Sequence, residues 1–574
     1  MCGIFCHVSK HRRVELSPDD ADRLSRRGPD ALRSHEVTTT TGGHEWLLTF
    51  SSSVLALRGD QIQAQPVIDE ATGSVFCWNG EAWLFNGSRL TGNDTDIVSK
   101  HLFQSVPALP VEEALTQVLR KIAGPYAFVF YDAKSSQLYF GRDGLGRRSL
   151  LISHGSGRGD ELTVSSVAVS TSIQEAHEVE APFIYCVDLK EPQLTISVLA
   201  PSAQPPNMNR ILPESNIVPE ATPTADAIRS LIQHLQDSLL YRVDQIPTYT
   251  VLGQSECPSK VAVLFSGGLD CTLLARLTHD ILPLDQPVDL LNVAFENPRV
   301  VNARAAEQTK SGSTIAADAY ESCPDRMTGR STFAELLKVC PQREWRFVAV
   351  NVSYKEFLDH KAGIVHLMHP HNTEMDLSIT AALYFAARGQ GEMISTSQVV
   401  GKGNPYTTTA RVLLSGLGAD ELFGGYARHA AAFTRGGYEA LIEELELDFT
   451  RIAKRNLGRD DRVIAHWGRE TRYPFLDETF VKFVLQLPAW EKCGFRPGKA
   501  VPKHFEATTV PEQSEDLHPE KMLLRCAMWQ LGMKGAAAEK KRAIQFGART
   551  AKMHGGRTKG TDIVTVVDGS IRGT

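Results

Sequence analysis

A glycine loop between two apolar runs is the first candidate functional site in the sequence. An apolar run at 261–265 leads into Ser266-Gly267-Gly268-Leu269-Asp270, and a further apolar run follows. Paired glycines let the backbone close around an anion, and the free N–H groups at a helix start attract one. The loop lacks the Lys-Ser/Thr pair of a Walker A motif, so its pattern favours a pyrophosphate with a metal near Asp270. The sequence therefore predicts a nucleotide site in which the first and second phosphates are separated, with an ordinary glycine turn as the alternative.

The second residue, Cys2, could supply a nucleophile together with its own base. It follows Met1 directly, so removal of Met1 would leave a cysteine with a free α-amino group. An amine with a pKa near ~7.7 can accept the thiol proton at neutral pH. This arrangement predicts acyl-transfer chemistry at the start of the chain. The alternative is that Cys2 is an ordinary second residue.

The glycine loop belongs to a series of predicted strands that alternate with helices. Apolar runs at 261–265, 288–295 and 345–352 predict buried strands, and apolar spacing at 376–389 predicts a helix. This alternation indicates a doubly wound α/β sheet, in which ligands collect beyond the carboxyl ends of the strands. A further predicted strand at 412–414 runs into a second glycine turn with two acids, Ser415-Gly416-Leu417-Gly418-Ala419-Asp420-Glu421.

Composition bounds the class of protein. The chain has 574 residues, of which 42% are hydrophobic and 22% charged, as expected of a globular protein with a sizeable core. A net charge of −6 argues against a general nucleic-acid or membrane-surface role. Ten scattered cysteines without a CxxC pair indicate neither a disulfide framework nor a zinc site. No apolar run approaches the ~18 residues of a membrane span. We therefore expect a cytoplasmic protein that binds neither membranes nor nucleic acids.

The segments behind Cys2 give its chemistry a context. A strand at 54–57 leads to Arg58, a strand at 74–78 leads to Asn79-Gly80, which predicts a turn, and Asp94 follows in a polar stretch. Their order resembles the class II, N-terminal-nucleophile (Ntn) glutamine amidotransferase domain over residues 1–200. The resemblance implies an Ntn-hydrolase glutaminase sandwich of the α+β class.

That resemblance assigns a role to each of these residues. Cys2 would attack the side-chain amide of glutamine, while Asn79 and the Gly80 N–H would form the oxyanion hole. Arg58 would bind the α-carboxylate of glutamine and Asp94 its α-ammonium. The residue types suit these tasks, because a guanidinium fork matches a carboxylate and preorganised donors stabilise a developing O⁻.

The two glycine turns and the later motif Glu470-Thr471-Arg472-Tyr473-Pro474-Phe475-Leu476-Asp477 resemble the ATP-pyrophosphatase (PP-loop) domain of glutamine-hydrolysing asparagine synthetases. The runs at 141–150, 456–464 and 541–547 are most similar to those of the eukaryotic asparagine synthetase domain-containing proteins. The predicted organisation is therefore a glutaminase domain (1–200), a proline-rich linker (201–224) and a doubly wound, parallel-sheet ATP-pyrophosphatase domain (225–574).

The family resemblance implies that ATP and aspartate form β-aspartyl-AMP and pyrophosphate with the help of Mg²⁺, and that ammonia from glutamine then displaces AMP. Asp270 and Asp420 would hold the magnesium, and Arg472 would help to hold substrate or phosphates. Lys541, in preference to Lys540, would stabilise the reacting phosphorus. The complete set implied to bind ATP is Phe265, Ser266, Gly267, Gly268, Asp270, Val293, Ser415, Gly416 and Lys541.

Two positions depart from the family pattern. Leu417 stands where the second glycine turn of the family has a glutamate, and an apolar side chain can neither coordinate a metal nor accept a proton. Cys271 replaces the serine at the end of the first loop. Three hypotheses follow: an amidotransferase acting on aspartate, an amidotransferase with a different acceptor, and a protein that has lost ligation and acts through interactions.

Overall fold

The chain forms two compact units in the computed structural model. The model describes residues 2–573 except 156–158, 202–206, 215–221, 248–256, 304–317, 396–402, 498–512, 554–558 and 568–569. The first unit comprises Met1–Pro205, Gly363–Asn372 and Ala453–Glu470, and the remaining residues form the second. The sequence-based division places the two short segments in the C-terminal domain, whereas they cluster with the first unit. The predicted linker at 201–224 falls partly outside the described residues.

The first unit is built on two six-stranded sheets. Their strand orders are β13-β11-β12-β1-β3-β2 and β15-β14-β10-β9-β5-β4, and a small third sheet has the order β7-β6-β8. The strands are β1 (Gly3–Ser9), β2 (Ala31–Thr41), β3 (His44–Val54), β4 (Val67–Ile68), β5 (Val75–Gly80), β6 (Leu84–Phe85), β7 (Ser88–Arg89), β8 (Ile122–Ala123), β9 (Tyr126–Asp132), β10 (Gln137–Arg142), β11 (Leu151–His154), β12 (Glu161–Ser165), β13 (His177–Glu178), β14 (Phe183–Asp188) and β15 (Ile196–Pro201).

Apolar side chains join the two large sheets into a sandwich. One buried cluster takes residues from β1 and β3 of the first sheet and from β5, β9 and β10 of the second. The other face of the second sheet is covered by α2 (Asp94–Ser105) and α3 (Val111–Leu119), and α1 (Pro18–Arg27) packs against β1 and β3. The predicted sandwich is confirmed. The predicted turn at Asn79-Gly80 is wrong, because both residues continue β5 and pair with Ala127 and Tyr126 of β9.

The second unit contains a seven-stranded sheet of order β20-β19-β18-β17-β16-β21-β22. Strands β18, β17, β16 and β21 are parallel, whereas β19 and β20 run antiparallel to their neighbours. The helices Tyr354–Met368 and Glu374–Arg388 lie between β18 and β19 in the chain. The strands are β16 (Val261–Leu264), β17 (Val288–Phe295), β18 (Trp345–Val352), β19 (Gln390–Ser395), β20 (Asn404–Thr407), β21 (Val412–Leu414) and β22 (Glu470–Arg472), with a separate hairpin of β23 (Val564–Val567) and β24 (Ser570–Gly573).

The strand order reverses at β16, which lies between β17 and β21. A crevice opens at the carboxyl ends of strands at such a switch point, and both glycine turns follow β16 and β21 there. The doubly wound core is therefore confirmed, with an antiparallel edge. The remaining helices are α4 (Ala225–Val243), α5 (Leu269–Ile281), α6 (Pro324–Val339), α7 (Tyr354–Met368), α8 (Glu374–Arg388), α9 (Ala419–Phe423), α10 (Ala427–Ile452), α11 (Gly458–Ala465), α12 (Glu478–Gln486), α13 (Ala489–Lys492), α14 (Met522–Gln530), α15 (Lys534–Ala538) and α16 (Ile544–Gly547). Within the described part of the chain, none of the helices combines the length and the apolar character needed to cross a bilayer.

Asp461 carries a buried ion pair that ties α11 into the first unit. Its Oδ2 accepts hydrogen bonds from Arg27 Nη2 at 2.7 Å and from the Ser149 backbone N–H at 3.2 Å, and both charged side chains are 0% exposed. Removing one partner of a buried pair leaves the other charge uncompensated. Asp461→Asn is therefore expected to lower the free energy of unfolding by about 3–5 kcal/mol.

Chemical denaturation followed by circular dichroism measures this change. The control is Asp22→Asn, which removes the exposed partner of Arg26 at 2.6 Å and should change the free energy by only about 0–1 kcal/mol. Equal effects of the two substitutions would contradict a special role for the buried pair.

Candidate active sites

Cys2 lies just before β1 in the first unit and is buried. Its carbonyl oxygen accepts a hydrogen bond from Arg27 Nε at 3.2 Å, which fixes the backbone at the start of the strand. Its Sγ lies 3.9 Å from Nε2 of Gln65. Burial raises the pKa of the Cys2 thiol to about 11. The thiol is therefore protonated at neutral pH and needs a neighbouring base before it can act as a nucleophile.

Gln65 connects the cysteine to two other segments of this site. Its Oε1 accepts the backbone N–H of Trp78 at 2.7 Å, and its Nε2 donates to Thr95 Oγ1 at 3.3 Å. Because the Trp78 N–H requires an acceptor, the amide NH₂ must point toward Thr95 and the thiol. Gln65 was visible in the sequence before Pro66, where a strand leads to a polar loop, but no motif marked it as a site residue.

Asn79 and Gly80 end β5 beside this cluster. The Asn79 side chain is fully buried, and neither its amide nitrogen nor its oxygen has a hydrogen-bond partner among the described residues. A buried polar group without a partner costs about 1–3 kcal/mol, and the donor that the predicted oxyanion hole requires is therefore available at this amide. A Cβ on Gly80 would lie 2.7 Å from the Trp78 indole and 2.8 Å from Tyr126 Cβ, so only glycine fits there.

Arg58 supplies a buried cation to the same site. Its Nε donates to Glu81 Oε2 at 2.7 Å and its Nη1 to the Leu90 carbonyl at 3.2 Å. Burial alone would lower the pKa of Arg58, but Glu81 and Asp94 outweigh burial and raise it. A bound carboxylate would have to share this guanidinium with Glu81, a residue the sequence analysis did not single out.

Asp94 supplies the opposite charge as the first residue of α2. Asn93 caps the helix by accepting the Asp96 N–H, and Asp94 Oδ2 accepts the Ala82 backbone N–H at 3.0 Å and Trp78 Nε1 at 3.1 Å. Burial raises the pKa of Asp94, and Arg58 acts in the opposite direction. Asp94 and Arg58 thus carry the charges that the predicted contacts with the α-ammonium and α-carboxylate of glutamine require, and these contacts stay predictions.

The first glycine loop of the second unit joins β16 to α5. Gly267 has a φ of +81°, and a Cβ on it would lie 2.5 Å from the backbone N of Gly329, so no other residue fits. Ser266 Oγ accepts the Gly268 N–H at 3.3 Å, and the Cys271 thiol donates to the Gly268 carbonyl at 3.3 Å. Cys271 therefore supplies a hydrogen bond that closes the loop.

The second glycine turn meets the first. Ser415 N–H donates to the Arg472 carbonyl at 3.0 Å, and Ser415 Oγ accepts the Leu417 N–H at 3.3 Å. A Cβ on Gly416 would lie 2.8 Å from Asp270 Cβ, so glycine lets the two turns touch. The structure thus brings together both turns that the sequence singled out.

Asp270 and Asp420 converge on one lysine. Lys521 Nζ donates to both oxygens of Asp270, at 2.8 and 2.6 Å, and lies 2.5 Å from Asp420 Oδ1. Lys541 pairs with the other oxygen of Asp420. Burial would raise the pKa of Asp420, but the two ammonium groups outweigh burial and lower it. No motif in the sequence had indicated Lys521.

The donor set of the two acids suits Mg²⁺. Magnesium in nucleotide sites is bound by one or two carboxylates together with substrate phosphates, and both acids already contact one cation. Among the residues that the structure describes, no group of three or more His, Cys, Asp or Glu side chains could hold a metal unaided. Asp270 and Asp420 would therefore hold the ion only with phosphate oxygens as further ligands.

Three predicted site residues have other surroundings. The Phe265 carbonyl accepts Asn292 Nδ2 at 2.9 Å, and Val293 lies in β17 with little exposure. Arg472 Nη1 donates to the Arg242 carbonyl at 2.5 Å. The guanidinium of Arg472 thus has a main-chain partner, and the proposed contacts of these three residues with nucleotide or substrate stay predictions.

Both units contain residues that match models of known protein families. A family model for a glutamine amidotransferase domain matches residues 1–182, and one for asparagine synthase matches residues 406–443 and 434–522. The Bos taurus "Asparagine synthetase domain-containing protein 1" is 34% identical, over 98% of this chain and 97% of that protein. An asparagine synthetase domain-containing protein of Saccharomyces cerevisiae is also 34% identical, over 93% and 90%. "Asparagine synthetase [glutamine-hydrolyzing] 1" of that yeast is 22% identical, over 92% and 83%.

These matches confirm both resemblances drawn from the sequence. This chain matches a glutamine amidotransferase model and an asparagine synthase model, and with 34% identity over nearly the full length of the Bos taurus protein it belongs to the asparagine synthetase domain-containing proteins.

Proposed function

We propose that this protein uses glutamine and ATP to amidate a carboxylate, with aspartate as the acceptor and an acyl-adenylate as the intermediate. The observation that carries the proposal is the convergence of Asp270 and Asp420 on one cation where the two glycine turns meet. An anion-binding turn beside two carboxylates is the arrangement that holds a metal-bound triphosphate. The fold alone would not support this function.

The first half-reaction would take place at Cys2. Its Sγ attacks the side-chain carbonyl carbon of glutamine, and the α-amino group exposed by removal of Met1 accepts the thiol proton. The buried amide of Asn79, with the Gly80 N–H, donates to the developing oxyanion. Collapse of the tetrahedral intermediate releases ammonia and leaves a thioester, which water hydrolyses to glutamate.

The second half-reaction would take place at the glycine turns. A carboxylate oxygen of the acceptor attacks the α-phosphorus of ATP, pyrophosphate leaves, and ammonia then attacks the acyl carbon and displaces AMP. Lys541 and the N–H groups of the first loop would stabilise the charge on the phosphates. When bound by Asp270 and Asp420, Mg²⁺ would offset the negative charge of the departing pyrophosphate.

Product analysis tests the proposal. Purified protein is incubated with glutamine, ATP and Mg²⁺, with and without aspartate, and glutamate, AMP, pyrophosphate and asparagine are quantified. The expected result is aspartate-dependent formation of AMP, pyrophosphate and asparagine in equal amounts. Glutamate formation without AMP, for every common carboxylate tested, would contradict the ligase half of the proposal.

The apolar side chain of Leu417 supports two alternative functions. Without a carboxylate at this position, the pocket could accept an acceptor other than aspartate, or ligation could be lost while binding persists. AMP formation with a different carboxylate would identify the first alternative, and a protein that binds nucleotide without forming AMP would identify the second.

We place the activity in the cytosol because all ten cysteines are free thiols, which a reducing compartment preserves.

Asn79→Ala tests the oxyanion hole in particular. Loss of one preorganised donor typically lowers the rate by about 10²–10³-fold, so glutaminase turnover should fall by that factor while the KM for glutamine changes little. Glutamate release is the measurement. Asn372→Ala, at an exposed position of the same unit, should leave turnover unchanged. A reduction of less than about three-fold in Asn79→Ala would contradict the assignment.

A further inference from the structure

Lys521 stands where the proposed metal would have to bind. Its ammonium contacts both carboxylates of the acid pair, Asp270 and Asp420. We propose that Lys521 is a built-in counter-ion, which keeps divalent metal off the acid pair until the phosphates of a nucleotide draw the lysine away. The inference rests on the proposed function in that the acid pair is taken to bind metal together with a triphosphate.

The geometry of the contact leaves no room for a metal ion on the carboxylate oxygens that Lys521 contacts. Lys521 Nζ lies 2.6 Å from Asp270 Oδ2 and 2.5 Å from Asp420 Oδ1, and its side chain is 3% exposed. Mg²⁺ needs carboxylate oxygens at about 2.0–2.1 Å. An ion bound to these same oxygens would therefore lie almost in contact with the ammonium group. Repulsion between the two charges in this buried position excludes simultaneous binding.

The surrounding backbone is shaped to admit the lysine. A Cβ on Gly425 would lie 2.2 Å from Lys521 Cε and 2.1 Å from Asp420 Oδ1, so a larger residue would overlap the position that the lysine side chain occupies. Lys521 itself has a φ of +56°, the left-handed region that non-glycine residues seldom adopt. Its backbone N–H donates to the Phe423 carbonyl at 3.1 Å. A strained residue held by such contacts is typical of a functional position.

Lys541 does not bridge the two acids as Lys521 does. It contacts Asp420 and not Asp270, and its side chain is 24% exposed. Lys521 is therefore the bridge between the two acids. Phosphate oxygens at the first glycine loop would give the lysine an alternative anionic partner, and its departure would free the acid pair for the metal. Metal and nucleotide are consequently expected to bind together and not separately.

Binding of Mn²⁺ to the full chain without nucleotide tests this inference, because electron paramagnetic resonance distinguishes free from bound Mn²⁺. Wild-type protein should bind none at the acid pair. Lys521→Met should bind one ion per chain, with an affinity at least about ten-fold above that of wild type. The additional substitution Asp270→Asn should abolish this gain. Lys492→Met, which removes a buried lysine elsewhere in the second unit, should behave as wild type.

Two results would overturn the inference. The first is that nucleotide-free wild-type protein binds Mn²⁺ and that Asp270→Asn abolishes this binding. The second is that Lys521→Met folds but binds no more Mn²⁺ than wild-type protein. If Lys521→Met does not fold, Mn²⁺ binding to wild-type protein with and without α,β-methylene-ATP tests the inference. Mn²⁺ should then bind only after the analogue is added. Failure of wild type to bind this analogue would contradict the proposed function, whereas a gain of Mn²⁺ in Lys521→Met would still support the counter-ion role.

Discussion

Cys2→Ala is expected to abolish glutamine-dependent synthesis while leaving ammonia-dependent synthesis at the wild-type rate. Loss of a nucleophile removes the covalent route entirely, and comparable substitutions lower turnover by at least about 10⁴-fold. The proposed acyl-adenylate site consists of other residues and does not use the thiol. The measurements are glutamate release from glutamine, and AMP formation with either glutamine or ammonium chloride as the nitrogen donor.

The control for this experiment is Cys257→Ala, which removes an exposed thiol. It should change neither activity. If Cys2→Ala retained glutamine-dependent AMP formation, the N-terminal cysteine would not be the nucleophile. If it lost the ammonia-dependent reaction as well, the substitution would have disturbed more than the glutaminase step, and the two half-reactions could not be assigned to separate residues.

The site residues that could be predicted from the local sequence are those that lie in the two glycine turns. The loop at Ser266-Gly267-Gly268 and the turn at Ser415-Gly416 were predicted because a buried strand, paired glycines and a helix start determine the local backbone. That the two turns meet follows from the switch in strand order at β16. Alternation of strands and helices predicts such a sheet, although not which strands are neighbours.

The residues that sequence could not reveal depend on contacts between distant parts of the chain. Gln65 matters because its amide lies between Trp78 and Cys2, and Lys521 because it reaches an aspartate 251 positions earlier. No periodicity marks either residue. Glu81 was visible beside Gly80, but its pairing with Arg58 depends on how β5 packs.

Tertiary pairing also explains the wrong turn at Asn79-Gly80. The local preference of this dipeptide for a hairpin turn is outweighed by its pairing with β9. The antiparallel direction of β19 and β20 is likewise a property of strand pairing, which the alternation of strands and helices does not indicate. Likewise, the segments 363–372 and 453–470 join the first unit through pairs such as Asp461 with Arg27, which sequence spacing does not indicate.

Asp420→Asn is expected to suppress adenylation while leaving glutamine hydrolysis intact. The substitution removes one of the two proposed metal ligands and the charge that Lys521 and Lys541 share. Aspartate-dependent exchange of labelled pyrophosphate into ATP measures adenylation without any need for ammonia. Exchange should fall by at least about 10²-fold, since loss of a group that merely supports a metal ligand already costs about 10–100-fold.

Asp226→Asn is the matched control, because Asp226 pairs with Arg229 at an exposed position of the same unit. It should leave exchange unchanged. If the exchange of labelled pyrophosphate were undiminished in Asp420→Asn, the acid pair would not be required for adenylation. The lysines alone would then neutralise the phosphates. Loss of exchange with full retention of glutaminase turnover would instead separate the two chemistries within one chain, because a general failure to fold would remove both.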